Sequence, residues 1–353
     1  MDTFCVLPWF GREINFNNLS THCCLLPLKY DIENIKSKML AGERPAECQK
    51  CWNLEDQGIK SDRQVKNSAL DFYWNRDLDK IITQAKAGAN EILLLKLITS
   101  YTCNATCVSC GPGSSSSWQE LSKKINIPIL YDSYKKIDIA KIQQQVDFSK
   151  LIALSFIGGE PLYEKINFEL LEHLIAIGNK QIFISMVTNG SVALSDKQKR
   201  ILSKFKNLNF SVSIDGIGPV FEYLRYPLKW TVLQDNLTLF RQLTDNVSSN
   251  YTISNLNILY HPQTVEWFNQ QNIVFSPNPI YNPDWLQPRA LPTGIKQILK
   301  EKLDQVDYDA FIGNLHTDQD TLNFESMLEN IRLQDRAKGI RINDYLPELV
   351  KMF

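Results

Sequence analysis

From residue 92 onward, short apolar runs alternate with amphipathic stretches. The runs near 92–98, 152–158, 181–187, 208–214, 251–259 and 273–277 have the length and apolar character of buried strands. Between them, stretches near 139–147, 166–177, 195–206, 232–243 and 263–271 carry apolar positions at helical spacing. This β-α alternation predicts an α/β fold in which helices wrap a parallel sheet. The fifth run, Tyr251 to Leu259, contains Ser254, Asn255 and Asn257. Those residues read either as a poorly buried edge or as alternate side chains, such as Asn255 and Asn257, turned toward a ligand. Pro277, Pro279, Pro283, Pro288 and Pro292 predict an extended loop before a helix that begins near Thr293. Beyond it, Asp318 to Gln334 predicts a helix packed through Leu322, Phe324, Met327, Ile331 and Leu333.

Polar and flexible groups gather where the predicted strands stop. The first run leads into Cys103, Cys107 and Cys110, spaced C-x3-C-x2-C, and then Gly111-Pro112-Gly113. Three thiolates at this spacing can hold three irons of a 4Fe-4S cube and leave the fourth iron open. Soft thiolates also select zinc, but structural zinc wants four ligands, and no histidine lies close in the sequence. The second run, Ile152 to Ile157, ends in Gly158-Gly159-Glu160-Pro161. Two glycines let backbone approach a ligand closely, and a carboxylate can accept from an ammonium. The third run leads to Thr188-Asn189-Gly190 and the fourth to Ser213, Ile214 and Asp215-Gly216. Asn-Gly and Asp-Gly are also ordinary turn formers. In α/β barrels, ligands bind at the carboxyl ends of the strands.

Together, the cysteine motif and the Gly-Gly-Glu-Pro element at the next strand end resemble the radical S-adenosylmethionine (SAM) superfamily. The resemblance implies a partial (β/α)6 TIM-type barrel, open on one side. It further implies that Cys103, Cys107 and Cys110 hold the catalytic 4Fe-4S cluster. The open iron would bind the amino and carboxylate groups of SAM, whose reductive cleavage gives a 5'-deoxyadenosyl radical. Gly158, Gly159, Glu160 and Pro161 would lie at the methionyl amino group. Thr188, Asn189, Ser213, Asp215 and Asn257 would lie near the rest of the cofactor. Ser109 stands where the superfamily commonly has an aromatic residue, which weakens any claim of adenine stacking there.

The other five cysteines lie within the first 51 residues: Cys5, Cys23-Cys24, and Cys48-x2-Cys51. Between the first two groups, Glu13 to His22 alternates about Asn17-Asn18, as a β-hairpin does. Such a hairpin would bring Cys5 and Cys23 together, and the C-x2-C turn could close a four-thiolate site. This layout is similar to the twitch domain, a shortened SPASM domain that carries an auxiliary 4Fe-4S cluster. Here it precedes the barrel, as in N-terminal-twitch radical SAM proteins. That likeness extends through Cys5-Val-Leu-Pro-Trp9, Met39-Leu-Ala-Gly-Glu43, Cys48-Gln-Lys-Cys-Trp52, Gly58-Ile-Lys-Ser61, Gly111-Pro-Gly-Ser-Ser115 and Arg225-Tyr-Pro-Leu-Lys-Trp230. The implied auxiliary ligands are Cys5, Cys23, Cys48 and Cys51. Adjacent strand residues face opposite ways, so one of Cys23 and Cys24 binds; the choice is Cys23, with Asn18 in the place of the usual preceding glycine, and Cys24 a small buried hydrophobe. The expected organisation is a twitch domain at 1–60, a helical linker at 61–88, the barrel at 89–290 and a helical extension at 291–353.

Composition agrees with this class. A chain of 353 residues with 44% hydrophobic content can build one large domain and a small one. A formal net charge of -1 gives no broad attraction to nucleic acid, which is disfavoured as a substrate. No run approaches the ~18 apolar residues of a membrane span, the start has no basic n-region, and the clustered cysteines suggest metal ligation in a reducing compartment. The expected setting is cytoplasmic. The short Ser114–Ser117 run reads as a helix cap leading into Trp118.

The resemblance implies an oxidoreductase-like enzyme fed by a low-potential donor such as flavodoxin or ferredoxin. Its expected substrate is a peptide or protein, with a carbohydrate, nucleotide or other small molecule as the alternative. Every cysteine sits in a cluster segment, which disfavours epimerisation and methyl transfer that need a further one. Arg225, Tyr226 and Trp230 are candidates for substrate contact or for packing. Other readings are an iron-sulfur electron-transfer or scaffold protein without SAM cleavage, and a zinc-stabilised binding protein.

Overall fold

The computed structural model describes residues 3–353 apart from 18, 28, 57, 59, 73–75, 130–136 and 313–317, and apart from the side chains of 71–72 and 318–321. Asn18, expected in the place of the usual glycine before Cys23, and Ile59 lie outside the described residues. The chain forms two compact units. One comprises Met1–Ser100, Lys135–Met186 and Ser195–Asn209; the other comprises Tyr101–Tyr134, Val187–Leu194 and Phe210–Phe353.

Mixed α/β structure with mainly parallel strands runs through both. The strands are β1 (Gly11–Asn15), β2 (Ser20–Thr21), β3 (Leu94–Ile98), β4 (Ala153–Ile157), β5 (Phe183–Thr188), β6 (Leu208–Ser213), β7 (Val247–Ile253) and β8 (Val274–Pro279). In the first unit the order is β2-β1-β3-β4-β5, with β1 and β2 antiparallel and the other pairs parallel. In the second, β6, β7 and β8 pair in parallel. β2 and β8 each have a strand partner on one side.

The expected hairpin is present, with Glu13 opposite Thr21 and Ile14 opposite Ser20. The sequence did not suggest its neighbour. β1 lies parallel to β3 from Gly11 opposite Leu94 to Asn15 opposite Ile98, and Lys96 reaches Glu13 at 2.9 Å across that ladder. Leu97 in β3 and Leu154 and Phe156 in β4 are fully buried, each worth about 1.5–3 kcal/mol against exposure. The N-terminal segment shares a core with these strands: Phe4, Trp9, Met39 and Trp52 pack with Leu94 and Ile152.

Strand five departs from expectation. The observed β7 occupies Val247–Ile253, seven residues in strict buried/half-buried alternation, rather than Tyr251 to Leu259. Its inward positions include Ser249, so an apolar-run criterion misses its start. It stops where Asn257 Oδ1 accepts from Ser254 N at 2.7 Å, a side-chain turn that leads into the 3-10 helix Ile258–Tyr260. The C-terminal helix spans Asp318–Lys338, and it buries Met327, Ile331 and Gln334 while Leu322 and Leu333 are exposed. The burial spacing i, i+4, i+7 thus keeps Met327 and Ile331 of the expected set and adds Gln334 in place of Leu322 and Leu333. The helix expected near Thr293 runs from Thr293 to Lys302. Among the described residues, no helix is long and apolar enough to cross a membrane.

Candidate metal and cofactor sites

Cys103, Cys107 and Cys110 lie half-buried on the loop that precedes helix Ser116–Ile125. The helix start fixes this loop. Ser115 caps the helix by accepting from Trp118 N, and its hydroxyl donates to Ala105 O at 2.8 Å. Ser116 Oγ accepts from Cys103 N at 3.1 Å, and Ser117 Oγ donates to Cys103 O at 2.7 Å. Trp118 Nε1 donates to Cys107 O at 2.8 Å, and Cys110 N closes a turn onto the same carbonyl at 3.0 Å. Thr106 N and Val108 N bond to the carbonyls of Tyr226 and Leu224. The serine run therefore does more than cap the helix, a second role that depends on the loop folding back over the helix start.

Two side chains point nitrogen at the sulfurs. Asn189 Nδ2 lies 3.8 Å from Cys103 Sγ and 2.9 Å from Asn104 Oδ1. Arg225 Nη1 lies 4.0 Å from Cys107 Sγ, and Arg225 Nη2 forms a 2.7 Å ion pair with buried Asp215. Burial pushes the Cys107 and Cys110 thiols up, Cys110 to about 12, and the Arg225 charge opposes that rise. Thiols of this kind give up protons to metal, since the thiolate is the ligand.

Asp215 also accepts from Thr252 N at 2.9 Å, and its carbonyl accepts from Asn257 Nδ2 at 2.7 Å. Beside it is a small pocket lined by Val108, Ser109, Asp215, Leu224, Thr252, Ser254, Asn257 and Leu286. Asn257 reaches this pocket from a turn rather than from a strand, with its amide spent on the backbone of Asp215, Thr252 and Ser254. Thr188 is buried, and its hydroxyl accepts from Gly190 N; Ser213 sits half-buried at the end of β6. Arg225 is buried against Asp215 rather than available to substrate, Tyr226 donates to Lys338 O, and Trp230 packs on Phe221 and Trp267.

In the other unit, β4 runs into Gly158 at φ +129, where a Cβ would meet Ser100 O at 2.5 Å. Gly159 N donates to that same carbonyl at 3.2 Å. Glu160 is buried, with Oε1 accepting from Leu162 N at 3.1 Å, and Pro161 opens a short 3-10 turn. Gly158→Ala is expected to cost about 3 kcal/mol through backbone strain and the clash, seen as a lower denaturation midpoint.

The N-terminal cysteines converge. Cys5, Cys23, Cys48 and Cys51 line one pocket with about 420 Å³ of non-protein space, open solvent included, together with Met39, Glu47, Asp62 and Arg63. Cys24 is exposed rather than buried, because β2 ends at Thr21 and the following turn directs its side chain outward. Burial raises Cys5, Cys51 and Cys48, the last to about 11; the hydrogen bond with Cys24 raises Cys23. Helix Asp62–Phe72 holds the Cys5 segment: Arg63 Nη1 and Asn67 Nδ2 both donate to Phe4 O at 2.7 Å, and Val6 N donates to Asn67 Oδ1. Arg63 also pairs with half-buried Glu55 at 2.6 Å. The sequence signal for this clamp was a charged helix read only as a linker.

Among the described residues, no three His, Cys, Asp or Glu side chains stand close enough to share one metal ion. In a four-iron cube each thiolate binds a different iron, which asks for less closeness than a single shared ion. The donor chemistry at both cysteine sets suits such a cube, with four thiols at one and three at the other.

Solved structures similar to the chain include anSMEcpe with bound AdoMet, at 17% identity and a TM-score of 0.42, covering 70% of this chain and 62% of that one. Another is Streptococcus suis SuiB bound to its precursor peptide SuiA, at 16% identity and a TM-score of 0.41, covering 70% and 52%. A third is TYW1 with a lysine-pyruvate adduct, at 14% identity and a TM-score of 0.32, covering 66% and 70%. The chain spans about three fifths of the anSMEcpe structure's length. No family model matches the sequence, and no curated protein matches it. Likenesses this partial bear on the mixed α/β fold and not on the chemistry of the site.

Proposed function

We propose that the chain is a radical SAM enzyme with two iron-sulfur clusters that oxidatively modifies a peptide or protein. The supporting observation is the Cys103–Cys110 loop. Hydrogen bonds from the helix start and from Trp118 hold the carbonyls of Cys103, Ala105 and Cys107 and so fix the loop that carries the three thiols. In this reading Cys103, Cys107 and Cys110 hold a 4Fe-4S cluster, and Cys5, Cys23, Cys48 and Cys51 hold an auxiliary one. When bound, the first cluster and AdoMet supply a 5'-deoxyadenosyl radical that takes hydrogen from the substrate.

The chain's own residues do the positioning. Glu160 offers a buried carboxylate for an ammonium, and the missing Cβ of Gly158 lets the backbone lie against Ser100 O. Asn189 and Arg225 direct N–H groups at cluster thiolates. Asp215, Ser254 and Asn257 line the pocket beside Ser109, which is assigned to the nucleoside end of AdoMet. A low-potential donor such as flavodoxin or ferredoxin would supply the electron.

Anaerobic reconstitution with iron and sulfide, then reduction with AdoMet, tests the reading. About eight irons per chain and release of 5'-deoxyadenosine are expected. Iron without AdoMet cleavage would replace the enzyme with an electron-transfer protein, and zinc alone would overturn both. The oxidative role of the second cluster has its own test. A Cys48→Ala/Cys51→Ala chain is expected to keep AdoMet cleavage while losing about four irons and the modified product. Product formed at the parent rate would end that role.

A further inference from the structure

Arg225 is the C-cap of helix Pro219–Leu224, and it is 8% exposed. Its three nitrogens have different surroundings. Nη2 pairs with Asp215 Oδ2 at 2.7 Å, Nη1 stands 4.0 Å from Cys107 Sγ, and Nε has no hydrogen-bond partner. A buried guanidinium does not lose its proton, so its charge is permanent. Asp215 opposes that charge, and its other oxygen accepts from Thr252 N. Lys338, held between Trp118 and Tyr226 and bonded to Gln334 Oε1, adds a second cation to the same neighbourhood. Cys107 thus has a cationic nitrogen 4.0 Å from its sulfur on a buried side chain, where charges act more strongly than at a surface.

We propose that Arg225, held in place by Asp215, sets the reduction potential of the cluster bound at Cys103, Cys107 and Cys110. The inference rests on the cluster reading above. Reduction adds one electron, taken from the electrode or mediator, and hence one negative charge to the cluster and its thiolates. A fixed positive charge beside one thiolate favours that state, and charge and hydrogen bonds at the sulfurs are established levers on such potentials. Arg225 is a positioning and tuning residue, not a catalytic one. The sign of its effect is also predicted for its partner: removing the arginine disfavours reduction, whereas neutralising Asp215 unmasks the arginine and favours it.

The test is a redox titration of the reconstituted full chain without AdoMet, followed by electron paramagnetic resonance, with the signal that changes on adding AdoMet assigned to this cluster. Arg225→Gln is expected to shift its reduction equilibrium at least about tenfold toward the oxidised form, a fall of about 59 mV for one electron. Asp215→Asn is expected to shift it the opposite way, Arg225→Lys to recover part of the loss, and the auxiliary signal to stay in place. If Arg225→Gln does not retain the cluster, the Lys and Asn variants carry the comparison. Equal potentials in parent and variants, or shifts of the same sign from both partners, would overturn the inference. A parent that takes up no iron would instead remove the cluster reading, and the inference with it.

Discussion

Cys107→Ser is expected to give a folded chain that holds about four irons in place of about eight and releases 5'-deoxyadenosine only at background. The fold should survive because the structural work at this position belongs to the backbone. Its carbonyl takes the Trp118 indole and closes the turn with Cys110 N, and a serine keeps both bonds. The chemistry should not survive, since a hydroxyl does not supply the soft thiolate an iron-sulfur cluster uses. Circular dichroism, iron content and product chromatography on one preparation decide the matter. AdoMet cleavage at parent rates by this variant would remove the loop from the active site.

Arg63→Met has the largest expected effect on stability, about 3–5 kcal/mol, because it leaves a buried carboxylate without its partner. The Glu55 and Arg63 side chains are 9% and 7% exposed, and Arg63 binds Glu55 through two nitrogens. Burial works to raise the Glu55 carboxyl, yet the bonds from Arg63 and Ser61 overcome it and hold it below the usual carboxylate value. The sign follows: a depressed folded value contributes stability above the unfolded value of about 4.3, and that contribution is lost as pH falls through the folded value. Denaturation at neutral and acidic pH should therefore show parent and variant converging as the pH drops. The same substitution takes a donor from Phe4 O, beside Cys5, so auxiliary iron should fall while AdoMet cleavage persists. Lys66→Met, on a half-exposed pair of the same helix, is the control and should change stability by less than about 1 kcal/mol. Equal effects from the two variants would refute the assignment of Arg63 as a clamp.

Much of the architecture could be read from the sequence because β3, β4 and β5 are mostly buried and largely apolar, while β6 alternates with Leu208, Phe210 and Val212 buried. β7 could not, because Ser248, Ser249 and Asn250 give no apolar signal although the burial alternates. The cysteine groupings were visible as spacings, and spacing suffices to nominate ligands. It does not reveal what holds them. Asn189, Arg225, Asn67 and Arg63 bond to their cysteine segments from 59 to 118 residues away, a relation set by tertiary packing alone. Cys24 illustrates the opposite limit: strand alternation separated it from Cys23, but the pair lies beyond the end of β2, so alternation said nothing about burial.

The ladder from Gly11–Asn15 to Leu94–Ile98 makes the first sixty residues hard to detach. Cutting them away would uncover one whole side of β3, a row of apolar residues whose amide and carbonyl groups would then face water. A bare edge of that composition invites other chains to add themselves to it. Point replacement of the thiols, rather than deletion of the segment, is thus the cleaner way to separate the roles proposed for the two cysteine sets. The same ladder implies that any relative trimmed at its N-terminus must cap that edge by other means.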